Sequence, residues 1–362
     1  MNLPPKNLPP KNLSPVPIPN AASTFYKVAI VGAAGLKGKE VAEALDQRHF
    51  PVLDVKLLDD DESLGKLESI GDEMSFIQAV RADQFEVDFT FFASDMQTAR
   101  TNWKSARDRG SDVIDLSAAL EDEAGAVVRS PWVERQRQQT VPMELQLGPV
   151  VVAHPVATVL ALLALRAQTA GKVRRLVANI AEPASEHGQK GMDELHDQTI
   201  NLLSFQELPK KVYDAQVAFS MISRYGAGAA ASIEEIEARM ARHYRKIAGD
   251  GAPPTSLKLV HAPVFHGYTL AVNLEMEQAV SLGDLTQALT GDHIAVASAP
   301  EDFPSNVNVA GQNEIQVSVT SDASHENAFW LWVAADNLRV AALNAVQCAE
   351  TMAPLRPRGP AQ

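Results

Sequence analysis

The chain has 362 residues, 46% of them hydrophobic, and 32 Lys and Arg against 45 Asp and Glu leave a formal net charge of -13. That length supports a large core and about two domains, and the acidic balance excludes a phosphate-tracking nucleic-acid surface. No apolar run approaches the ~20 residues of a membrane span, no charged start leads into an apolar leader, and a single cysteine excludes an intrachain disulfide, so a cytoplasmic setting without a membrane or nucleic-acid partner is expected.

At the N-terminus, Asn2-Leu3-Pro4-Pro5-Lys6 recurs as Asn7-Leu8-Pro9-Pro10-Lys11 and then decays into Asn12-Leu13-Ser14-Pro15. Proline fixes φ and removes backbone donors, so residues 1–23 are expected to form an extended, unpacked tail. A polyproline-II recognition segment is the alternative.

Lys27-Val28-Ala29-Ile30-Val31 reads as a buried parallel strand. Gly32-Ala33-Ala34-Gly35-Leu36-Lys37-Gly38 follows at once, and Glu40-Val41-Ala42-Glu43-Ala44-Leu45 begins a helical pattern. Strand, glycine turn and helix together point to a dinucleotide pyrophosphate on backbone N–H groups at a helix start. A second apolar run, Val52 to Leu58, ends in Asp59-Asp60-Asp61-Glu62. Asp59 lies at the spacing of an acid that bonds ribose hydroxyls, and the acids after it would repel a 2′-phosphate. NAD is therefore favoured over NADP, with a solvated acidic turn as the plain alternative.

Val87 to Ala93 and Val113 to Leu116 read as further strands, with a helix from Thr98 to Arg109 between them. Repeated β-α-β units imply an α/β fold with a Rossmann-like, doubly wound parallel sheet. Val156 to Ala170 reads as a buried helix, and Ser232-Ile233-Glu234-Glu235 as a capping box opening a helix through Ile247. Leu257 to Val264, Tyr268 to Met276, Glu314 to Thr320 and Phe329 to Ala335 read as strands of an α+β second domain. The domains are placed at 24–153 with 336–362, and at 154–335.

Several segments then line up with one family. The turn Gly32 to Glu40, the stretch Glu182-Pro183-Ala184-Ser185-Glu186-His187-Gly188, the strand Ala262-Pro263-Val264-Phe265-His266-Gly267-Tyr268-Thr269 and the strand and helix Trp332 to Gln347 resemble, in order, motifs of aspartate-semialdehyde dehydrogenase. Together they cover roughly residues 25 to 355. The resemblance implies an NAD(P)-binding domain contacted through Gly32, Ala34, Gly35, Leu36, Gly38, Asp59, Ala93, Ser94 and Asn337, and a second domain that forms a homodimer. It also implies NADP-dependent reductive dephosphorylation of β-aspartyl phosphate, with a covalent cysteine intermediate and a nearby base.

The reactive set does not carry over. The nucleophile position in His154-Pro155-Val156-Ala157-Thr158 falls on Ala157, and the histidine base falls on Tyr268, a phenol with pKa ~10. The substrate arginine falls on His261, the acyl-orienting glutamine on Glu182, and the phosphate-site arginine on Glu121, where a carboxylate would repel phosphate. Cys348 lies on the apolar C-terminal helix and reads as an inert core thiol.

The chain therefore resembles the cysteine-less members of this family, expected to be inactive in the family reaction and to act as a scaffold, regulator or binding protein, alone as a dimer or with an active paralogue. The alternative is an active NAD-dependent oxidoreductase using Tyr268 or a histidine as proton donor. His154, Thr158, Glu182, His187, His261, His266 and Tyr268 are expected near the old cleft, with Thr158 and His154 as a candidate nucleophile and base. Their spacing matches no metal motif, so no metal is expected.

Overall fold

The computed structural model describes residues 25–71, 73–139, 148–299 and 301–356. The proline repeat of the tail lies outside them. The first domain is built on β1 (Tyr26–Val31), which pairs in parallel with β2 (Val52–Asp59) on one side and with Phe89–Phe92 on the other. Helix α1 (Leu36–Gln47) connects β1 to β2. The hairpin β3 (Leu67–Ile70) and β4 (Glu73–Phe76) and the short β5 (Gln78–Ala79) follow, and Phe89–Phe92 is β6. After it come α2 (Met96–Asp108), β7 (Asp112–Asp115), β8 (Val127–Arg129), α3 (Pro131–Gln136) and β9 (Val150–Val152). The seven strands lie in the order β5-β2-β1-β6-β7-β9-β8, every pair parallel.

Val28 and Ile30 enter one core with α1, while Ala29 and Val31 enter a second core with Trp103 of α2. A strand covered on both faces needs no polar alternation, which is why this segment reads as a continuous apolar run. Strand order leaves β1 in opposite directions toward β2 and β6. That reversal is the topological switch point where open α/β sheets bind ligands.

The second domain opens with α4 (Pro155–Ala170), buried almost all round. It continues through β10 (Val173–Glu182), α5 (Gly188–Leu203), α6 (Ile233–Ala248), β11 (Thr255–His261), β12 (Tyr268–Met276), α7 (Leu282–Leu289), β13 (Ile294–Val296), β14 (Ile315–Ser321) and β15 (Ala328–Ala335). The mixed sheet runs β11-β10-β12-β15-β14-β13. Helix α8 (Asn337–Met352) then returns to the first domain. Arg48 grips Glu350 at 2.6 and 2.7 Å, Ser130 Oγ donates to Asn344 at 2.8 Å, and Arg339 reaches Glu40 at 3.0 Å.

Some boundaries differ from the sequence expectations. β11 starts at Thr255, in parallel register with Leu176 of β10, and stops at His261 because Pro263 has no N–H to continue the ladder. α1 starts at Leu36, so Gly38 lies inside its first turn. The Ser232 cap is half a box: Ser232 Oγ accepts from the Glu235 N–H at 3.3 Å, but its hydroxyl turns to Glu234 at 2.9 Å.

Candidate functional site

The glycine turn sits at the switch point. Gly32 has φ of 85° and lies so close to the backbone after β6 that a Cβ would come within 2.7 Å of Ser94 and 2.9 Å of Ala93. A Cβ on Gly38 would stand 2.2 Å from the Gly32 carbonyl oxygen. Gly35 caps α1 and Leu36 opens it. Asp59, at the end of β2, accepts from the Ala34 N–H at 2.7 Å and from the Asp60 N–H at 2.8 Å. The acid and the turn expected to share a dinucleotide are therefore adjacent, and at present bond to each other.

Lys37, in the first turn of α1, reaches across to Glu186 of the second domain at 3.2 Å. Glu186 also accepts from Asn337 at 3.2 Å, and the Asn337 side-chain oxygen takes the Ser185 hydroxyl at 3.1 Å. Burial opposes ionisation of Glu186, but the Lys37 charge prevails and holds it below its ordinary carboxylate range. The glycine turn, Asn337 and the second domain are thus linked through one carboxylate.

Ala157 is fully buried in the first turn of α4. Its neighbours Thr158 and His154, the candidate nucleophile and base, have other hydrogen-bond partners. The His154 ring caps α4 by accepting from the Val156 N–H at 3.2 Å, and burial lowers its pKa to about 4. Thr158 turns away and donates to Ser130 at 3.2 Å. Cys348 is fully buried on α8, where burial pushes its thiol up to about 12.

A buried polar cluster forms where β10 and β11 end. Glu182 and His261 are the last residues of these paired strands, directly opposite each other. His187 comes from the turn after β10 and lies 3.3 Å from Glu182 Oε2; the His261 Nδ1 lies 3.6 Å from the same oxygen. The Tyr225 hydroxyl donates to Glu182 and lies 2.8 Å from His187 Nε2 and 3.0 Å from His261 Nδ1. Glu182 and His261 are wholly inaccessible. Burial would raise the Glu182 pKa, but the hydrogen bonds from His187, His261 and Tyr225 outweigh it and keep the carboxylate ionised. The Tyr268 hydroxyl is buried without a hydrogen bond, its pKa raised well above 10 by burial and by the Glu186 and Glu182 carboxylates. His266 is half-buried and is not among the clustered ligand atoms.

Glu121 does not stand as a free negative charge. It accepts from Arg242 at 2.6 Å and from His243 Nε2 at 3.0 Å, with Arg239 at 3.6 Å. His243 Nδ1 accepts the His154 N–H at 2.9 Å, so Nε2 carries the proton in the neutral ring. The expectation that this carboxylate repels phosphate is corrected by these neighbours: the two α6 arginines neutralise it.

Sequence reasoning missed Tyr225, Tyr213, Glu186 and the α6 cations. The two tyrosines lie between α5 and α6, in a stretch with no helix or strand and no apolar period. Its length was the available signal, since long structureless connections inside compact domains are usually functional. Buried Glu194 of α5 accepts from the Lys211 and Val212 N–H groups at 2.6 Å each, and Gln198 accepts from the Val217 N–H at 2.8 Å. A reciprocal pair between Ile222 and His261 then aligns the segment beside β11.

Residues 27–141 match the family model for the semialdehyde dehydrogenase NAD binding domain, and residues 162–340 match its dimerisation domain. An aspartate-semialdehyde dehydrogenase of Rickettsia bellii (strain RML369-C) is 29% identical over 335 residues, covering 90% of this chain and 97% of the relative. A USG-1 protein homolog of Pseudomonas aeruginosa is 33% identical over 332 residues, again covering 90% and 97%. The structure of a probable aspartate-semialdehyde dehydrogenase from Pseudomonas aeruginosa superposes with a TM-score of 0.80 at 29% identity, over 91% of this chain and 99% of that one. Aspartate semialdehyde dehydrogenase II from Vibrio cholerae, complexed with ASA, gives 0.79 at 25% identity, over 91% and 99%. With both domains matched in order and relatives covered nearly end to end, the chain belongs to the aspartate-semialdehyde dehydrogenase family.

Proposed function

We propose that this chain is a cysteine-less member of the family that does not perform its covalent acyl-transfer reaction and works instead as a dimeric binding or regulatory protein with a dinucleotide-type domain. One observation carries the proposal: the position expected to bear the nucleophile is Ala157, and the chain's single thiol, Cys348, is a buried core group on another helix. A thiolate is required for that chemistry, and a thiol pushed up to about 12 supplies almost none.

The rest of the site supports the same reading. Tyr268 would have to replace a histidine base, but its phenol is raised further from neutral pH rather than lowered. The positions expected to hold substrate, Glu182 and His261, are spent on each other and on Tyr225. The glycine turn and Asp59 favour NAD over NADP, because the acids at 59–62 would repel a 2′-phosphate. Half-exposed Trp330 and Trp332 on β15 suit a homodimer face of the second domain. A cytoplasmic setting follows from the same reading; among the described residues no helix is long and apolar enough to cross a membrane.

The buried, unpartnered Tyr268 hydroxyl favours one second reading, a non-covalent carbonyl reduction in which it donates the proton. Both are tested by following nicotinamide absorbance with aspartate semialdehyde, phosphate and NAD or NADP, beside an active family member. We expect no phosphate-dependent turnover, and none after Ala157→Cys. Turnover by the native chain would overturn the proposal, as would its restoration by that single change. Substrate-dependent NADH oxidation without phosphate would establish the second reading.

A further inference from the structure

We propose that Glu182, His187 and His261, with Tyr225 as fourth ligand, form a buried site for a divalent transition-metal ion of the zinc class. The three ligand atoms come from the ends of β10 and β11 and from the turn between β10 and α5, and all lie within 4.8 Å of one another. Two of their separations are 3.3 and 3.6 Å. A tetrahedral ion with bonds of about 2.0–2.1 Å to nitrogen and oxygen requires ligand-to-ligand edges of about 3.3 Å. The two edges that meet at Glu182 Oε2 already suit such an ion.

The Tyr225 hydroxyl stands over this triangle, bonded to all three groups. Those contacts are shorter than a tetrahedral edge, so the phenol oxygen needs to withdraw by about 1 Å to take the apical position. Metal binding would displace the proton that Tyr225 now shares with Glu182.

Hydrogen bonding alone leaves the cluster incomplete. Glu182 Oε1 is buried with no partner, which is costly to leave unmet, and it offers a second carboxylate oxygen to an ion held at Oε2. Charge is unbalanced as well. Glu182 is fully buried and Glu186 beside it is half-buried, and the neighbouring lysine, Lys37, is committed to Glu186. The ion-pair partners of Glu182 among the described residues are the two imidazoles, neutral unless protonated. A divalent cation would bring to this carboxylate the formal positive charge that neutral imidazoles lack.

The frame is rigid and has a way in. Ala262 N–H donates to the Glu182 carbonyl at 3.0 Å, and His261 exchanges backbone hydrogen bonds with Ile222 at 2.8 and 3.1 Å. The His187 side chain keeps 10% of its surface open to solvent, which marks the path for an ion. Sequence spacing concealed the set because its ligands lie on separate elements rather than in one short motif.

The proposal does not rest on the loss of family activity, since its readout is metal binding. The full-length chain is stripped with chelator, and Zn²⁺ or Co²⁺ is added and followed by calorimetry and visible absorption. We expect about one ion per chain at micromolar affinity or better, an intense tetrahedral Co²⁺ spectrum, and a rise in melting temperature with Zn²⁺. His187→Gln, at the most accessible ligand, should weaken binding about 100-fold or more, while His196→Gln on the exposed face of α5 should not change it. Binding only at or above about millimolar concentration, an octahedral Co²⁺ spectrum, or equal affinity in native chain and His187→Gln would each overturn the proposal. Measurements on the native chain decide the matter even if a variant misfolds.

Discussion

Tyr225→Phe isolates the energetics of the buried cluster, because it removes one oxygen and leaves the ring. The lost hydroxyl donates to an ionised, fully buried carboxylate and also contacts His187 at 2.8 Å and His261 at 3.0 Å. A net hydrogen bond to a charged group stabilises by about 1.5–3 kcal/mol, and stranding a buried charge costs about 3–5 kcal/mol. Glu182 keeps a 3.3 Å contact with His187, so the expected loss is about 2–4 kcal/mol. In a domain of this size that lowers the melting temperature by roughly 4–10 °C. The matched control is Tyr244→Phe, which removes a hydroxyl of equal size bonded to the neutral Pro253 carbonyl at 2.9 Å. That change should cost about 1 kcal/mol. Both variants are melted by circular dichroism with chelator present. If Tyr225→Phe costs no more than Tyr244→Phe, the cluster is not a charge-bearing network and the reasoning fails.

The Glu121 cluster predicts an acid limb in stability. Burial opposes ionisation, yet the hydrogen bonds from His243 and Arg242 hold Glu121 at about 2, below its ordinary 4.5. Its folded value is depressed, so its contribution is complete above about pH 4.5 and is lost as pH falls toward 2. Because Arg242 is half-exposed, we discount it to about 1–2 kcal/mol; denaturant unfolding of Glu121→Gln should show a flatter acid limb, and an unchanged limb would refute the assignment. Gly38→Ala drives a Cβ to 2.2 Å from the Gly32 carbonyl and should cost about 3 kcal/mol or more together with any NAD affinity, whereas Gly283→Ala, with its nearest neighbour at 3.8 Å, should be neutral or mildly stabilising in the same melts. Cys348 should resist Ellman's reagent in the folded protein and label fully in guanidinium; rapid labelling of the native chain would show that the thiol is not the buried group described.

The second domain shows how local pattern and long-range placement divide the information. The burial of β12 alternates along its whole length, and the strand appears in the sequence with its observed bounds, Tyr268–Met276. Helix α4 is equally plain, since apolar residues behind Pro155 run to Leu165 with Thr158 as the one interruption. The stretch between α5 and α6 has neither period, and its path depends on Glu194 and Gln198 of α5 capturing backbone amides 17 to 20 residues away. No local propensity encodes such contacts, so Tyr225 could not be assigned a partner from its neighbours in the chain.

Glu121 illustrates the same division for charge. Its sign and position are readable in the sequence, but its effect depends on Arg239, Arg242 and His243, more than a hundred residues later on α6. Sequence by itself determined the strand–glycine–helix unit, the two-domain α/β architecture and the absence of a thiol at residue 157, because these rest on short-range period, steric permission and residue identity. Tertiary structure alone decided that Glu182, His187, His261 and Tyr225 meet, that Lys37 reaches Glu186, and that Thr158 turns from His154 toward Ser130. Those outcomes depend on which strand ends lie side by side, and strand pairing is set by burial summed over the whole sheet rather than by any one segment.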